Sequence, residues 1–132
     1  VKIQIGSAAP TGEESEMEVR GRDMVSGLPR KTTITSQEVR EALSEPITNI
    51  IEAITRTLER AEPELAADLV ENGITLAGGG ALLAGLPVQI TKATGLDVTL
   101  AEDPLTCVAR GTAIYLENID VWKDTLENNS DI

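Results

Sequence analysis

Three consecutive glycines, Gly78, Gly79 and Gly80, are the residues in this sequence with the clearest chemical potential. A backbone without Cβ atoms lets a ligand lie directly against the main chain, and it permits positive φ angles. A helix after the glycines would direct its free N–H groups and the positive end of its dipole into the same space. A strand, a turn and a helix in this order favour a nucleotide-binding loop. A plain strand-to-helix turn is the alternative for Gly-Gly-Gly by itself.

The remaining residue types restrict the chemistry. The chain has no histidine and one cysteine, Cys107, which excludes a Ser-His-Asp triad, a histidine-ligated metal and a structural zinc site. Cys107 stands among apolar residues in a helical pattern, and we interpret it as a small buried side chain. Glu102 and Asp103 precede Pro104, where acids are expected to cap the next helix and complement its dipole. A further acidic group is interpreted as solvated loop and strand surface rather than a metal site: Glu13, Glu14, Glu16 and Glu18.

Charge and composition also limit the partners. The 132 residues carry a formal net charge of −11, so direct binding to nucleic acid or insertion into an anionic membrane is not expected of this chain. No apolar run reaches the length of a membrane span. A single cysteine cannot form an internal disulfide, which suits a reducing compartment such as the cytoplasm.

The first part of the chain has strand signals followed by a helix start. Residues 17–22 alternate apolar and polar side chains, and residues 31–35 are rich in β-branched types. These two runs form an antiparallel hairpin if the long connection between them allows it. Thr35 and Glu38 are spaced as a capping box. The helix that they begin is expected to end near residue 44, and Pro46 forces a break or a new start.

The second part alternates helices and strands. Apolar residues from Ile47 to Leu58 at helical spacing predict one helix, and a second begins at Pro63 and ends at Asn72. Residues 74–77 predict a strand that is buried on both faces, followed by a helix over 86–94, a strand over 97–100 and a helix over 104–118 with its apolar side inward. Such an order predicts a right-handed crossover over a parallel sheet, in which ligands lie at the carboxyl ends of strands.

Residues 73–86 and 101–111, the latter reading Ala-Glu-Asp-Pro-Leu-Thr-Cys-Val-Ala-Arg-Gly, resemble the MreB family of bacterial actin-like proteins. Residues 5–8, 18–22 and 27–31 are similar to that family as well. The resemblance implies an α/β fold: a partial actin-like ATPase (ribonuclease H-like) lobe, with a parallel or mixed sheet, helices and a small α+β subdomain. It implies a C-terminal fragment of the second lobe, in which residues 1–45 are IIB-like, 46–122 are IIA-like and 123–132 are a disordered acidic tail.

The same resemblance implies which residues bind a ligand. Gly78, Gly79, Gly80, Ala81 and Leu82 resemble the family's adenosine motif, which lies against the adenine and ribose of ATP. Lys2 resembles a family lysine that lies along the nucleoside, although a lysine at a chain end is often only solvated. ATP or ADP with Mg²⁺ is the cofactor that the resemblance implies for the intact protein. The family's phosphate loops and magnesium-binding acid are not found in this chain, so we expect the chain alone to bind ATP weakly and to hydrolyse none.

For the intact protein the resemblance implies an ATP-dependent filament at the inner face of the cell membrane. Such a filament maintains rod shape by organising lateral cell-wall synthesis, and its implied partners are other copies of itself, RodZ, MreC and MreD. One alternative is a sugar kinase or Hsp70-type ATPase of the same superfamily, and another is a stand-alone truncated binding module. A basic cluster is either ordinary surface charge or a contact with the next subunit: Arg20, Arg22, Arg30 and Lys31.

Overall fold

A computed structural model of the chain describes residues 1–122. Within this part the strands form an antiparallel pair, β1–β2, and a parallel pair, β3–β4. The predicted acidic tail, residues 123–132, lies outside the described residues. The elements follow one another as α1 (Lys2–Ile5), β1 (Glu16–Arg22), β2 (Pro29–Thr35), α2 (Ser36–Glu59), α3 (Pro63–Asn72), β3 (Ile74–Leu76), a 3₁₀ helix (Gly79–Leu82), α4 (Leu86–Thr94), β4 (Val98–Leu100) and α5 (Cys107–Glu117).

The predicted hairpin of β1 and β2 forms, with Gly21 opposite Arg30. The Asp23 carboxylate organises its long connection. One carboxylate oxygen accepts from the N–H groups of Val25 and Ser26 at 3.1 and 2.8 Å. The other accepts from the Arg30 guanidinium at 3.0 Å. These bonds, that from the Ser26 N–H foremost, lower the pKa of Asp23 to about 2, so one side chain fixes the turn that pairs the strands.

Helix α2 runs through Pro46 without interruption, and the predicted break there is wrong. Its start is as predicted: the Thr35 N–H donates to the Glu38 carboxylate at 2.8 Å, and the Glu38 N–H donates to the Thr35 hydroxyl at 3.2 Å. Proline removes one backbone hydrogen bond and crowds the preceding turn. The helix continues because Leu43 and Ile47, on either side of Pro46, belong to the same apolar cluster. Tertiary packing therefore outweighs the local cost of the proline.

The core lies between α2, α4 and one face of the β3–β4 pair. Ile90 of α4 is 1% exposed and is the largest fully buried side chain of the part that the structure describes. Ala8, Ile47 and Leu86 complete the buried cluster. Partly buried residues surround it: Leu43, Ile51, Ile54, Ile74, Leu76, Leu83 and Val98.

Only one face of the parallel pair is covered. Ile74 and Leu76 of β3 are half-buried against the core. Thr75 and Thr99 face the other way, exposed, with their hydroxyls 3.4 Å apart. The prediction that β3 is buried on both faces is therefore wrong, because within residues 1–122 no element packs on the threonine face.

Helix α5 forms as predicted, but its apolar side is not inward. Val108 is 77% exposed and Leu116 is 59% exposed, and no residue of α5 is buried. Cys107 is half-buried rather than buried, and its thiol donates to the Asp103 carbonyl at 3.0 Å. Periodicity correctly predicts an apolar side, but no other described element covers it.

Replacement of Pro46 by alanine tests the continuity of α2. Because the helix already spans this position, Pro46→Ala restores a backbone donor and removes the steric clash. We expect the free energy of unfolding to rise by about 1–3 kcal/mol, measured by urea denaturation. Glu45→Ala, an exposed neighbour in the same helix, is the matched control and should change stability by only about 0.3 kcal/mol. A loss of stability in Pro46→Ala would show that the proline is needed where it stands.

Titration of Asp23 tests the organisation of the hairpin turn. Because its folded pKa is about 2 against an ordinary value of 3.8, its stabilisation of the turn is present above pH 3.8 and is lost as pH falls through about 2. Carboxyl NMR shifts should give this midpoint. In Asp23→Asn, the Val25 and Ser26 amides should exchange faster at neutral pH and lose their response to acid. Unchanged amide exchange in Asp23→Asn would contradict the assignment.

Candidate functional site

The glycine run lies at the carboxyl ends of two parallel strands. Gly78 follows the end of β3 with φ +83°, a backbone conformation that side chains other than glycine rarely adopt. Its N–H donates to the Pro104 carbonyl at 2.6 Å, and the Ala101 N–H donates to the Leu76 carbonyl at 2.9 Å. These bonds join the segment after β3 to the segment after β4. The placement agrees with the ligand edge expected of such a sheet.

Gly79 and Gly80 differ from Gly78 because the fold does not require glycine at either position. Neither has a positive φ. A Cβ on Gly80 would meet no atom within 4 Å, and one on Gly79 would only touch the Leu105 side chain at 3.5 Å. Among the backbone bonds of residues 1–122, neither amide is a donor. The two residues leave an exposed strip of main chain with free N–H groups, which we call the glycine strip.

The segment after the strip is not the α-helix that the sequence suggested. A 3₁₀ helix of four residues follows, in which Ala81 is buried and Leu82 is 51% exposed. Helix α4 begins only at Leu86, after Gly85 at φ +77°. A Cβ on Gly85 would overlap Ala9, so the start of α4 is packed against the chain and does not open onto the strip. The N–H groups at the strip belong to the glycines themselves rather than to a helix terminus.

Lys2 lies on the short helix α1, with its side chain exposed. Within residues 1–122 this side chain forms no hydrogen bond or ion pair. The segment after α1 is tied to the region beyond the strip: the Ala8 N–H donates to the Ala84 carbonyl at 2.7 Å, and the Gln89 side chain donates to the Ala8 carbonyl at 3.1 Å. The structure thus links the amino-terminal segment to the site's surroundings, while a ligand role for Lys2 stays a prediction.

The loop of residues 101–106 borders the strip through Pro104 and Leu105, a contact that the sequence analysis missed. The parallel order of β3 and β4 held the signal, since their carboxyl ends share one edge. The expected acidic cap of α5 is wrong. Thr106 is the N-cap without a side-chain bond to the helix. Asp103 instead accepts from the Thr106 hydroxyl at 2.6 Å and shapes the turn.

A polar cluster joins the loop before the hairpin to the first turn of α2. The Glu14 carboxylate accepts from the Ser36 hydroxyl and from the Arg40 guanidinium. Arg40 also donates to the Ser7 hydroxyl at 3.3 Å. Hydrogen bonds from Ser36 first, and then from Arg40, hold the pKa of Glu14 below its ordinary value. Ser7 and Ser36 are both buried, so the cluster fixes the base of the hairpin on the helix.

Two kinds of feature were searched for over residues 1–122. No group of three histidine, cysteine, aspartate or glutamate side chains is placed to hold a metal ion. No helix in this range combines the length and apolar character needed to cross a membrane.

Comparison with known proteins identifies the family. The family model described as MreB/Mbl protein matches residues 1–124. The chain belongs to the MreB/Mbl family. It is 51% identical over 121 residues to the cell shape-determining protein MreB of Escherichia coli K12, which covers 92% of this chain and 35% of that protein. It is 45% identical over 120 residues to the cell shape-determining protein Mbl of Bacillus subtilis, covering 91% and 36%.

Solved structures agree on the fold. MreB5 of Spiroplasma citri bound to ADP superimposes with a TM-score of 0.84 at 38% identity, covering 97% of this chain and 38% of that one. The same protein bound to AMPPNP gives a TM-score of 0.83 and covers 96% and 37%. The chain therefore has the fold of part of an actin-like lobe, and it spans about a third of the length of the curated MreB and Mbl relatives that it matches.

Alanine substitutions should separate the glycine that the fold needs from the one that it does not. Gly78→Ala places a Cβ on a backbone with φ +83°, and we expect it to lower the free energy of unfolding by about 1–2 kcal/mol. Gly80→Ala enters open space at an ordinary φ, and should raise it by about 0.4–1 kcal/mol through reduced freedom of the unfolded chain. Urea denaturation of both variants measures the contrast, and equal destabilisation would refute it.

Proposed function

We propose that this chain is part of an MreB-like, ATP-dependent cytoskeletal filament protein that maintains rod cell shape by organising lateral cell-wall synthesis. The chain supplies the nucleoside side of the ATP site. Membership in the MreB/Mbl family, the actin-like fold and the printed cell-shape role of the relatives support this proposal. They favour it over the sugar-kinase or Hsp70-type alternative.

The glycine strip is the observation that carries the nucleotide part of the proposal. A fold that does not need glycine at Gly79 and Gly80 nevertheless leaves both without side chains, so that a flat ring can lie on the main chain. The exposed side chains of Leu82 and Leu105 offer apolar surface beside the strip, as a purine site requires. The similar MreB5 structures are bound to ADP and AMPPNP, which agrees with a nucleotide at this fold.

The proposed division of labour leaves the phosphates and Mg²⁺ to other parts of the intact protein. Residues 1–122 offer no acidic group placed for a metal ion, and the free donors of the strip are two backbone amides. In the proposal Gly78, Ala81 and Leu82 shape the turn around the nucleoside, and the Lys2 ammonium reaches it from α1. Because phosphoryl transfer needs phosphate, metal and water positioned together, the isolated chain should bind ATP weakly without hydrolysing it.

The division of the chain into a IIB-like unit of residues 1–45 and a IIA-like unit of residues 46–122 is also proposed. The boundary falls inside α2, so the two units would be joined by a continuous helix rather than by a linker. In the intact protein we propose a cytoplasmic location at the inner face of the cell membrane. The proposed partners are other copies of the protein, RodZ, MreC and MreD.

A chimera tests the whole-protein role. Residues 1–124 replace the matching segment of Escherichia coli MreB, to which the chain is 51% identical. We expect this chimera to restore rod shape to cells depleted of their own MreB. Round cells, with the chimera present at the normal level, would contradict the proposed function.

A side chain on the glycine strip tests the nucleotide site in the same chimera. Gly80→Val fills the open space beside the strip, so we expect ATP affinity to fall at least about tenfold, measured with a fluorescent ATP analogue. Gly21→Val is the matched control, because its Cβ also enters open space at an ordinary φ, but on the hairpin. Equal ATP affinity in the two variants would show that the nucleoside does not lie on the strip.

A further inference from the structure

The tip of the hairpin is an exposed apolar surface with a basic margin. Met24, Val25 and Leu28 are 96, 98 and 65% exposed, although Asp23 holds the turn in one conformation. The strands below add basic residues, and together these groups form what we call the tip surface: Met24, Val25, Leu28, Arg20, Arg22, Arg30 and Lys31.

The tip surface differs in charge from the rest of the chain. The hairpin carries more basic than acidic residues, whereas the chain as a whole has a net charge of −11. Glu18 pairs with Arg20 and Lys31, but Arg22 forms no ion pair within residues 1–122. A positively charged apolar tip on an acidic chain selects an acidic partner with apolar surface of its own.

Helix α3 has the complementary character. The sequence contains no lysine or arginine between Arg60 and Lys92. Glu64, Asp68 and Glu71 are spaced so that they form one stripe along α3. Leu65 borders this stripe and is 55% exposed, and no residue of α3 is buried. The stripe and Leu65 make up the α3 surface.

The two surfaces lie at opposite ends of a rigid helix. Strand β2 runs directly into α2 through Thr35, and α3 begins three residues after α2 has ended. The 24 residues of α2 span about 36 Å, whereas the ten residues of α3 span only about 15 Å. The hairpin makes only sparse contact with α2, so it does not fold back along the helix. The tip surface therefore cannot reach the α3 surface of its own molecule.

We propose that the tip surface of one copy docks on the α3 surface of the next copy of this chain, head to tail. Different surfaces on the two copies make the contact heterologous, so it can repeat along an open array rather than close into a dimer. Arg22 meets the acidic stripe, and the apolar tip meets Leu65. This inference rests on the proposed filament role and assigns one contact to it. A hairpin tip is small, so the contact is weak and sensitive to salt.

Charge reversal at each surface tests the contact in the 132-residue chain. Sedimentation velocity should show concentration-dependent association that weakens as salt is raised. Arg22→Glu and Asp68→Arg each place like charges across the contact, and each should weaken association at least about tenfold. Both side chains are exposed, so folding is retained, and circular dichroism checks this. Arg56→Glu, which reverses an exposed charge on α2, is the matched control and should associate like the unmodified chain.

Two rescue measurements distinguish a direct contact from a general charge effect. The double variant Arg22→Glu with Asp68→Arg restores opposite charges and should associate again. An equal mixture of the two single variants should do the same, since each offers the surface that the other needs. A chain that stays monomeric, or a double variant that is weaker than both singles, would overturn the proposal. So would anionic phosphatidylserine vesicles that bind the unmodified chain and not Arg22→Glu while self-association is equal in both, because the tip would then serve a lipid surface.

The same variants in the MreB chimera separate this inference from the proposed function. Each single reversal should abolish rod shape without changing ATP affinity, and the double reversal should restore rod shape. If the unmodified chimera fails to restore rod shape, the proposed function fails. If the unmodified chimera and both single reversals all give rods, the proposed function stands and the docking contact is wrong.

Discussion

The packing of α4 between α2 and the parallel strand pair is the contact on which the rest of the structure depends. Ile90 at its centre is 1% exposed, in a chain whose buried cluster is small. Glycines in the left-handed conformation flank the helix, Gly85 at φ +77° and Gly95 at φ +74°, and fix its length. Gly73 allows β3 to approach the Asp97 carbonyl where a Cβ would overlap it. Because α4 follows the 3₁₀ segment directly, this packing also determines where the glycine strip lies.

Features set by neighbouring residues were predictable from the sequence. The capping box of Thr35 and Glu38 and the bounds of α4 depend on side chains and glycines close by, and both agree with the structure. The break at Pro46 was predicted wrongly because the local cost of a proline was weighed without the packing of Leu43 and Ile47. The side of α5 was predicted wrongly for a related reason. A helical apolar stripe indicates that a surface will be covered, but not that this stretch of chain covers it.

The candidate site shows the same limit at the level of single residues. The sequence singled out Gly78, Gly79 and Gly80 together, yet only coordinates separate a glycine required by a positive φ from two that leave open space. Residue types do not reveal φ angles, and they do not reveal that Leu105 lies beside the strip. The order of the strands could have predicted that neighbour, since the ends of parallel strands share an edge. The polar cluster of Glu14 with Ser36 and Arg40 had no comparable signal, because its members are more than twenty residues apart.

The unbroken helix α2 gives these separate features one mechanical frame. Its first turn is tied to the base of the hairpin by Glu14 and Arg40, and Arg40 also reaches Ser7. Ser7 in turn pairs with Ala84, just beyond the 3₁₀ segment that follows the glycine strip. A continuous series of buried or half-buried contacts therefore holds the hairpin and the strip in a fixed relation. In a head-to-tail array built through the tip, this frame would repeat each nucleotide site at the same distance and orientation from the contact between copies.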